Sequence, residues 1–538
     1  MLAFLGWLTT VTIVAAATSN NDCVLAGPDY PSPSKLSNAQ SLVEATAKFE
    51  NQLQNITLGL NANDTAWAVA LFSSKENKTL YEHYYTPPID VGVDKVDKHS
   101  IFRIGSVSKV FSVWSFLIEA GDRYFNDPIT KYVPELANLS NNAQPGVLYD
   151  DINNVRWEEV TLGELASQAA GIPRDQMFAY LLKQHPIYAA QHSPAYSNIA
   201  FTLLGYAQEA ITGKSLSASV KSSIIDALGM TNSSYEITPK SGGVIPGANA
   251  TEIGWDTDLG EAAPSGSFYS STADMVNAAQ AMIQSRLITP GQTRRWFRPS
   301  IQTGYLSTSV GAPWEIRYLT NPNQHLVEAF TKMGDLGNYH AGLAFSSQHD
   351  LGWVVLTAGT ADAATEEVRN ELFNAFGDIF IPTAEKQAKI EAVTNFNGSY
   401  IDKSTNSSLT ILAGTDGRPG LGITSFFSRG KEIIGPNSPL ISLYGAGESG
   451  HLYPSQLRTV RQRCNGTGTY VSRLGFKATF FSEKQAGQLV DPCLMAWTAL
   501  GAPTYGHVSL DDWVFEMGED GRAQFLDARM WRLKLERV

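Results

Sequence analysis

Hydrophobic and polar residues follow two different periods in the first part of the chain. A helical spacing predicts one helix whose apolar face is made of Leu42, Thr46, Phe49 and Leu53. Ser37, with Gln40 three residues later, has the capping-box pattern, so the helix is expected to begin there. Residues 66–72 and 79–85 then predict two strands joined by a polar turn.

Three further helices are predicted downstream. The most apolar one ends near Gly121 and has a buried face made of Val110, Val113, Trp114, Leu117 and Ile118. Another runs from about Ile199 to Gly213, where glycine favours a helix end. A third begins after the cap Ser271.

The pattern changes after residue 340. Two short apolar runs, 342–345 and 353–356, predict a hairpin, and a helix is expected from about Ala363 to Phe376. Helical patterning largely stops past Pro382, so we expect a domain boundary within residues 382–392.

The last segment, residues 386–538, is expected to form a mostly β domain. Turn clusters such as 415–420 and the pair Asp520-Gly521 separate alternating segments, and the latter suits a hairpin turn. At the end of the chain, Trp531, Leu533 and Leu535 alternate with charged residues, as in a half-buried strand.

Composition excludes several classes of protein. With 538 residues, 43% of them hydrophobic and 17% charged, the chain is neither disordered nor a small disulfide scaffold. The formal net charge is −12, and no basic segment is dense enough to follow a phosphate backbone, so nucleic-acid binding is not expected.

The first residues have the pattern of a secretory signal. The apolar stretch 2–17 is shorter than the ~20 residues that cross a bilayer, and it ends in three alanines suited to signal peptidase. We interpret residues 1–17 as a signal peptide and 18–35 as a Pro-rich leader, although no Lys or Arg precedes Lys35. The mature protein is therefore expected to be secreted without a transmembrane span. Nine N-x-[ST] glycosylation candidates agree with this route: Asn55, Asn63, Asn77, Asn138, Asn232, Asn249, Asn397, Asn406 and Asn465.

The three cysteines lack metal-binding spacing. In an oxidising compartment Cys464 and Cys493, which are close in sequence, are the preferred disulfide and leave Cys23 over, but all three pairings remain open. No metal and no organic cofactor is expected.

A serine and a lysine one helical turn apart are the first candidates for chemistry. Ser106 and Lys109 lie at i and i+3, just before the apolar face that begins at Val110. Burial beside that face would lower the pKa of the ammonium and allow the amine to act as a base for the serine. The alternative is a simple helix cap with a solvated lysine. The same S-x-x-K pattern also occurs at Ser32 to Lys35 and at Ser428 to Lys431, but neither opens an apolar helix.

Two more patterns supply context. Tyr196-Ser197-Asn198 precedes an apolar helix, where the phenol could exchange protons and the amide could orient Lys109. Lys332-Met333-Gly334 precedes the hairpin, where a glycine permits close backbone approach. Each has a rival, at Tyr124-Phe125-Asn126 and at Lys240-Ser241-Gly242 respectively, in positions less suited to a site.

Together these residues resemble the serine β-lactamase and penicillin-binding-protein superfamily, in particular its class C branch. The resemblance covers about residues 35 to 380 and includes 102–109, 161–173, 196–205, 271–274 and 332–356. With the leader and the β-rich tail, the whole chain is similar to secreted fungal β-lactamase-like proteins. The resemblance implies an α/β catalytic domain over 36–385, with an antiparallel sheet flanked by helices and an all-helical subdomain.

The resemblance also implies roles for individual residues. Ser106 would be acylated, and Lys109 and Tyr196 would share the roles of acid and base. Asn198 would orient Lys109, and Lys332 would complete the positive field of the site. The backbone N–H groups of Ser106 and Asp335 would form the oxyanion hole, so that a change of the Asp335 side chain would leave it intact.

Substrate-binding candidates are Met333, Gly334 and His340. Met333 replaces the family's usual Thr or Ser, and a thioether accepts hydrogen bonds only weakly, so poor β-lactamase activity is expected. His340 has the alternative of a structural residue, and Trp314 is either a cleft wall or a buried anchor.

The sequence therefore favours a secreted serine hydrolase that acts on an ester, lactone or amide bond of a small molecule. Two alternatives stay open: acyl transfer in secondary-metabolite biosynthesis, and an inactive ligand-binding protein of the same fold. The oligomeric state and the substrate are not determined by the sequence.

Overall fold

The computed structural model describes residues 24–60, 63–137, 150–175, 181, 184–236, 241–320, 326–415, 417–436, 438–440, 449–464, 466–480 and 494–538. They divide into two compact units, Tyr30–Glu391 and Ala392–Val538, the latter together with the residues before Tyr30. The predicted signal peptide, 1–17, lies outside the described residues.

An eight-stranded antiparallel sheet forms the centre of the unit Tyr30–Glu391, in the order β2-β1-β10-β9-β8-β7-β6-β5. Strands β1, β9 and β10 are buried along their whole length because both faces of the sheet are covered, which explains their nearly continuous apolar sequences. The strands are β1 (Thr65–Ser73), β2 (Lys78–Tyr85), β5 (Ile301–Gln302), β6 (Thr308–Val310), β7 (Glu315–Thr320), β8 (Leu326–Leu336), β9 (Tyr339–Ser346) and β10 (Leu351–Gly359), while β3 (Phe102–Arg103) and β4 (Tyr269–Ser270) form a separate pair.

Helices cover both faces of this sheet and create two hydrophobic cores. One core joins α1 and α10 to the first face, with the rings of Phe49 and Phe376 4.4 Å apart. The other core joins α2, α4 and α8 to the opposite face. The helices are α1 (Gln40–Gly59), α2 (Ser108–Glu119), α3 (Leu162–Ala166), α4 (Ile199–Thr212), α5 (Leu216–Val220), α6 (Asp226–Leu228), α7 (Ala263–Gly266), α8 (Thr272–Ile283), α9 (Pro290–Trp296) and α10 (Asp362–Phe396). The predicted fold class is confirmed.

Two predicted helix ends are wrong. Helix α1 begins at Gln40 after a 3₁₀ turn, Leu36–Asn38, and the hydroxyl of Ser37 hydrogen-bonds Glu76 instead of capping the helix. Helix α10 does not end near Phe376 but continues through Pro382, where the Thr383 hydroxyl donates to the Ile379 carbonyl. Proline is thus a probable and not a certain helix end. The expected boundary range, 382–392, lies inside this helix, and the division between the two units falls at Glu391 and Ala392.

The unit that contains Ala392–Val538 is mostly β. Its nine-stranded antiparallel sheet closes on itself through a β12–β13 pairing, and Asp520-Gly521 lies in the hairpin turn between β19 and β20, as predicted. Its elements are β11 (Gly398–Asp402), β12 (Ser407–Ala413), β13 (Leu421–Ser428), β14 (Lys431–Ile434), β15 (Gly450–Gln462), β16 (Thr469–Thr479), α11 (Leu494–Thr498), β17 (Thr504–Tyr505), β18 (Val508–Ser509), β19 (Asp512–Met517), β20 (Ala523–Ala528) and β21 (Leu533–Arg537).

Several sequence predictions concern the surface. Of the glycosylation candidates, Asn138 and Asn465 lie outside the described residues, Asn232 and Asn397 are half-buried, and the other five are exposed. Cys464 is exposed, whereas Cys23 and Cys493 lie outside the described residues, so the disulfide stays a prediction. Among the described helices, none combines the length and the apolar character needed to cross a membrane.

Candidate active site

Ser106 lies in a 3₁₀ turn, Gly105–Val107, that leads directly into α2. It is the only residue of the stretch 101–117 that is not buried. Its hydroxyl caps neither helix; instead, Ser106 Oγ lies 3.0 Å from Lys109 Nζ and accepts a hydrogen bond from the Tyr196 hydroxyl at 2.6 Å. The structure therefore brings the three predicted residues together around one accessible hydroxyl.

The amine of Lys109 is completely buried. It donates to Asn198 Oδ1 at 2.6 Å and to the Ser265 carbonyl at 2.8 Å, both of which are uncharged acceptors. Burial lowers the pKa of Lys109 well below its usual value, and the nearby charge of Lys332 lowers it further. Because these acceptors occupy two of the hydrogen-bonding directions of Lys109 Nζ, the third direction points to Ser106 Oγ.

Tyr196 and Asn198 lie immediately before α4. The ring of Tyr196 has Lys109 Nζ at 4.9 Å and Lys332 Nζ at 5.3 Å from its centre, and the Arg174 guanidinium at 4.8 Å. Asn198 Nδ2 donates to Asp175 Oδ1, which fixes the amide so that its oxygen faces Lys109.

Lys332 reaches the same cluster from the middle of β8, and its side chain is 2% exposed. Its Nζ donates to Glu315 Oε1 at 2.5 Å and to the Met333 carbonyl at 2.8 Å. Burial alone lowers the pKa of Lys332, but the charge and the hydrogen bond of Glu315, together with smaller contributions from neighbouring groups, outweigh it, so that the pKa is raised above its usual value. Lys332 is therefore a fixed positive charge beside Tyr196.

Two glycines allow the Ser106 turn and β8 to approach closely. A Cβ on Gly334 would lie 2.1 Å from the Ile104 carbonyl oxygen and 2.8 Å from the Ser106 nitrogen. A Cβ on Gly105, whose φ is +48°, would lie 2.5 Å from the Asp335 nitrogen. The backbone of 334–335 thus lies against the backbone of the Ser106 turn.

The direction of the Asp335 N–H follows from strand geometry. The Met333 N–H donates to Glu315 on the β7 side of β8, and N–H groups two residues apart point to the same edge of a strand. The β7–β8 ladder ends at the pair Glu315 and Thr331, so the edge beyond it is open toward the Ser106 turn. The predicted pair of backbone donors, Ser106 and Asp335, is therefore brought to one place.

Two substrate-binding candidates lie elsewhere. The half-buried side chain of Met333 packs in the core with Phe373, on the sheet face opposite to Lys332. The predicted contact of its thioether with substrate is wrong, and the argument for poor β-lactamase activity loses its support. His340 is buried on that same face and hydrogen-bonds Asp335, so it is a structural residue rather than a substrate contact.

Rival motif matches have other surroundings where the structure describes them. The Ser32 hydroxyl donates to Asp350, and Ser428 is buried in the other unit. Tyr124 lies in a 3₁₀ turn after α2, and Lys240 lies outside the described residues. Trp314 is fully buried among aromatic rings and is an anchor.

Sequence reasoning missed Glu315, Asp175 and Ser265. An isolated carboxylate or carbonyl has no motif, and these residues acquire their role only through folding. The one available signal was the β7–β8 hairpin, since pairing its strands places Glu315 opposite Thr331, next to Lys332. Within the described ranges, no three His, Cys, Asp or Glu side chains are arranged to hold a metal ion.

Comparison with known proteins gives the family of the chain. The sequence profile of the family described as Beta-lactamase matches residues 61–374, which is more than half of the chain. The chain belongs to the beta-lactamase family. A second profile, described as "Beta-lactamase-like-like, C-terminal domain", matches residues 388–538.

Individual relatives extend over most of the chain. A "Beta-lactamase-like protein" of Arthroderma benhamiae is 26% identical over 475 residues, 78% of this chain and 76% of that protein. A "Probable hydrolase clz13" of Cochliobolus lunatus is 23% identical and covers 91% of this chain and 86% of its own length. The solved D-alanine carboxypeptidase AmpC from Burkholderia cenocepacia is 18% identical and covers 62% of this chain and 99% of its own, with a TM-score of 0.46. The family and the hydrolase-named relatives support a hydrolase.

Proposed function

We propose that this beta-lactamase-family protein is a serine hydrolase that works through an acyl-enzyme on Ser106. The observation that carries the proposal is the contact of one accessible hydroxyl with both a buried amine of lowered pKa and a phenol. A serine needs such a neighbouring base to become a nucleophile.

The proposed reaction uses the neutral form of Lys109. Its two N–H bonds are held by Asn198 and Ser265, and its lone pair accepts the proton of Ser106 while Oγ attacks the substrate carbonyl carbon. The carbonyl oxygen becomes negative and accepts hydrogen bonds from the N–H groups of Ser106 and Asp335. Collapse of this intermediate expels an alcohol or amine, which takes its proton through Tyr196. Water then attacks the acyl carbon and gives its proton to Lys109 through Tyr196; the bond from this carbon to Ser106 Oγ breaks, Oγ takes the proton back, and the acid product leaves.

Small esters, lactones and amides are the proposed substrates, because each has a carbonyl that Ser106 can attack. β-Lactams stay among the candidates, because Met333 gives no argument against them. Acyl transfer to an alcohol or amine uses the same residues, so analysis of products formed with competing nucleophiles decides between the two outcomes. Export through the signal peptide 1–17 is part of the proposal, and mass spectrometry of the protein from culture medium tests it.

The nucleophile is tested by intact-mass measurement after treatment with a fluorophosphonate and with a penicillin-type probe. We expect one adduct on the native protein and none on Ser106→Ala. Ser108→Ala is the matched control, because this neighbouring hydroxyl donates to the Gly105 carbonyl and is not part of the cluster. Absence of any adduct on the native protein with either probe contradicts the proposal and favours a ligand-binding protein.

A further inference from the structure

A group of ionisable side chains lies on the face of β8 opposite to Lys332. Asp335 and His340 are cross-strand partners on β8 and β9, and Asp335 Oδ1 lies 2.7 Å from His340 Nδ1. Arg369, from α10, places Nη2 3.3 Å from the same carboxylate oxygen and donates from Nη1 to the Ala341 carbonyl at 3.2 Å. The side chains of Arg369 and His340 are both only 3% exposed. One buried guanidinium therefore contacts two adjacent strands directly behind the Ser106 turn.

This contact lies along the part of β8 that pairs with only one neighbouring strand. Strand β7 accompanies β8 only as far as Thr331, so residues 332–336 pair with β9 alone. The same short segment provides the Asp335 N–H, whose usefulness as an oxyanion donor depends on placement to within about 0.5 Å. On the other side, the Met333 N–H still bonds the Glu315 side chain, but no strand pairs with residues 334–336 there, so the position of Asp335 gains from a further restraint.

Arg369 provides that restraint from the side of α10. It is bound to β8 through the Asp335 carboxylate and to β9 through Ala341, which pairs with Gly334. Burial of part of the Asp335 carboxyl, whose side chain is 53% exposed, raises its pKa, but the hydrogen bond from His340 and the charge of Arg369, together with smaller contributions from neighbouring groups, outweigh this and hold the pKa below its usual value. The carboxylate is thus charged near neutral pH and forms a charge-assisted contact, which is stronger than a neutral one.

We propose that Arg369 is a positioning residue that fixes the Asp335 N–H in the oxyanion site through the Asp335 carboxylate and the Ala341 carbonyl. The inference rests on the proposed function of Ser106. It also corrects the expectation that a change of the Asp335 side chain leaves the oxyanion site intact, because the side chain holds the backbone that carries the donor.

The test compares Arg369→Gln, Arg369→Lys and Asp335→Asn with the control Glu366→Gln. Glu366 is the other carboxylate on Arg369 Nη2, at 3.3 Å, and it lies on α10 itself, three residues before Arg369. Each purified variant is assayed for hydrolysis of a p-nitrophenyl ester and for inhibition by phenylboronic acid. The boron of this inhibitor bonds to a serine oxygen and gives a tetrahedral adduct with a hydroxyl in the oxyanion position. Melting temperature reports the folded fraction.

Displacing an oxyanion donor reduces kcat less than deleting one, which typically reduces kcat by about 10²–10³-fold. We therefore expect Arg369→Gln and Asp335→Asn to lose about 10- to 100-fold in kcat, with KM changed less than about threefold and boronate affinity reduced in parallel with kcat. Arg369→Lys recovers part of both losses, because its ammonium keeps a contact with Asp335. Glu366→Gln stays within about twofold of the native protein.

Three results are decisive against the inference. It is wrong if Asp335→Asn and Arg369→Gln keep the native boronate affinity, if their losses follow only the folded fraction, or if Glu366→Gln loses as much as Arg369→Gln. Failure of the proposed function looks different, because the native protein itself then shows neither ester hydrolysis nor boronate binding.

Discussion

Lys109 and Lys332 are two buried amines in one site, and their pKa values move in opposite directions. Each lies about equally far from the ring of Tyr196, at 4.9 and 5.3 Å. Lys109 contacts only uncharged oxygens, so burial determines the fall of its pKa. Lys332 contacts the Glu315 carboxylate, whose charge and hydrogen bond, together with smaller contributions from neighbouring groups, outweigh the effect of burial.

The difference teaches that the charge of the partner, and not burial alone, decides what a buried lysine can do. An amine with neutral partners becomes a base, whereas an amine with an anionic partner keeps its proton and supplies a positive charge. One site thus contains a proton acceptor and a permanent cation made from the same residue type. Substitutions that exchange or remove these partners test the comparison.

The largest effect is expected when each lysine is replaced by arginine. Lys109→Arg introduces a guanidinium that does not lose its proton, so kcat/KM falls by about 10²–10⁴-fold, the range of a lost general base. Lys332→Arg keeps the positive charge next to Glu315, so kcat/KM falls by only about tenfold. Steady-state assays with one ester measure both variants. Equal losses in the two variants contradict the division of roles.

A smaller effect is expected for Glu315→Gln. The charge of Glu315 raises the pKa of both lysines, so its removal lowers both. The neutral base form of Lys109 then exists at lower pH, and the acid limb of the kcat/KM profile moves toward lower pH. The maximum of the profile falls by about tenfold, because the amide keeps only one of the two oxygens that accept from Lys332 and the Met333 N–H, and Lys332 loses its anionic partner. The pH profile of the native protein is the reference, and an acid limb that moves to higher pH or stays in place refutes this coupling.

The smallest effect is expected for Met333→Thr, which restores the hydroxyl found in related enzymes. The side chain at this position faces Phe373 on the other side of the sheet, so activity toward an ester and a cephalosporin changes less than about threefold. The melting temperature falls modestly, since half-buried apolar surface is lost. A large gain of cephalosporin hydrolysis contradicts this assignment of faces.

Much of the fold followed from periodicity. The spacing at 110–118 and the apolar runs of β1 and β10 predicted elements that the structure contains, because burial on a fixed face imposes that spacing. Proline at 382 was misleading, because the helix continues through it, with the Thr383 hydroxyl bonded to the Ile379 carbonyl in the same turn. The local pattern marks proline as a probable helix end and does not register that the helix continues.

The site was predictable to the extent that its residues are near in sequence or carry a motif. Ser106 and Lys109 are one turn apart, and Tyr196 and Lys332 were found through patterns and family resemblance. Glu315 and Arg369 carry neither signal, because their partners come from other strands and helices. The error at Met333 was avoidable, since adjacent residues of a strand point to opposite faces, and Lys332 already occupied the face of the site.

The close approach of the backbone at Gly105 and Gly334 has a consequence for protein synthesis. Gly334 follows Ser106 by 228 residues in the chain. At a synthesis rate of about 5–20 residues per second, the ribosome completes β8 roughly 10–45 s after it has finished the serine turn. During that interval the nascent polypeptide has Ser106 but not the strand that carries the Asp335 N–H. On the proposed mechanism, the protein therefore cannot react until the third quarter of the chain folds back onto the first.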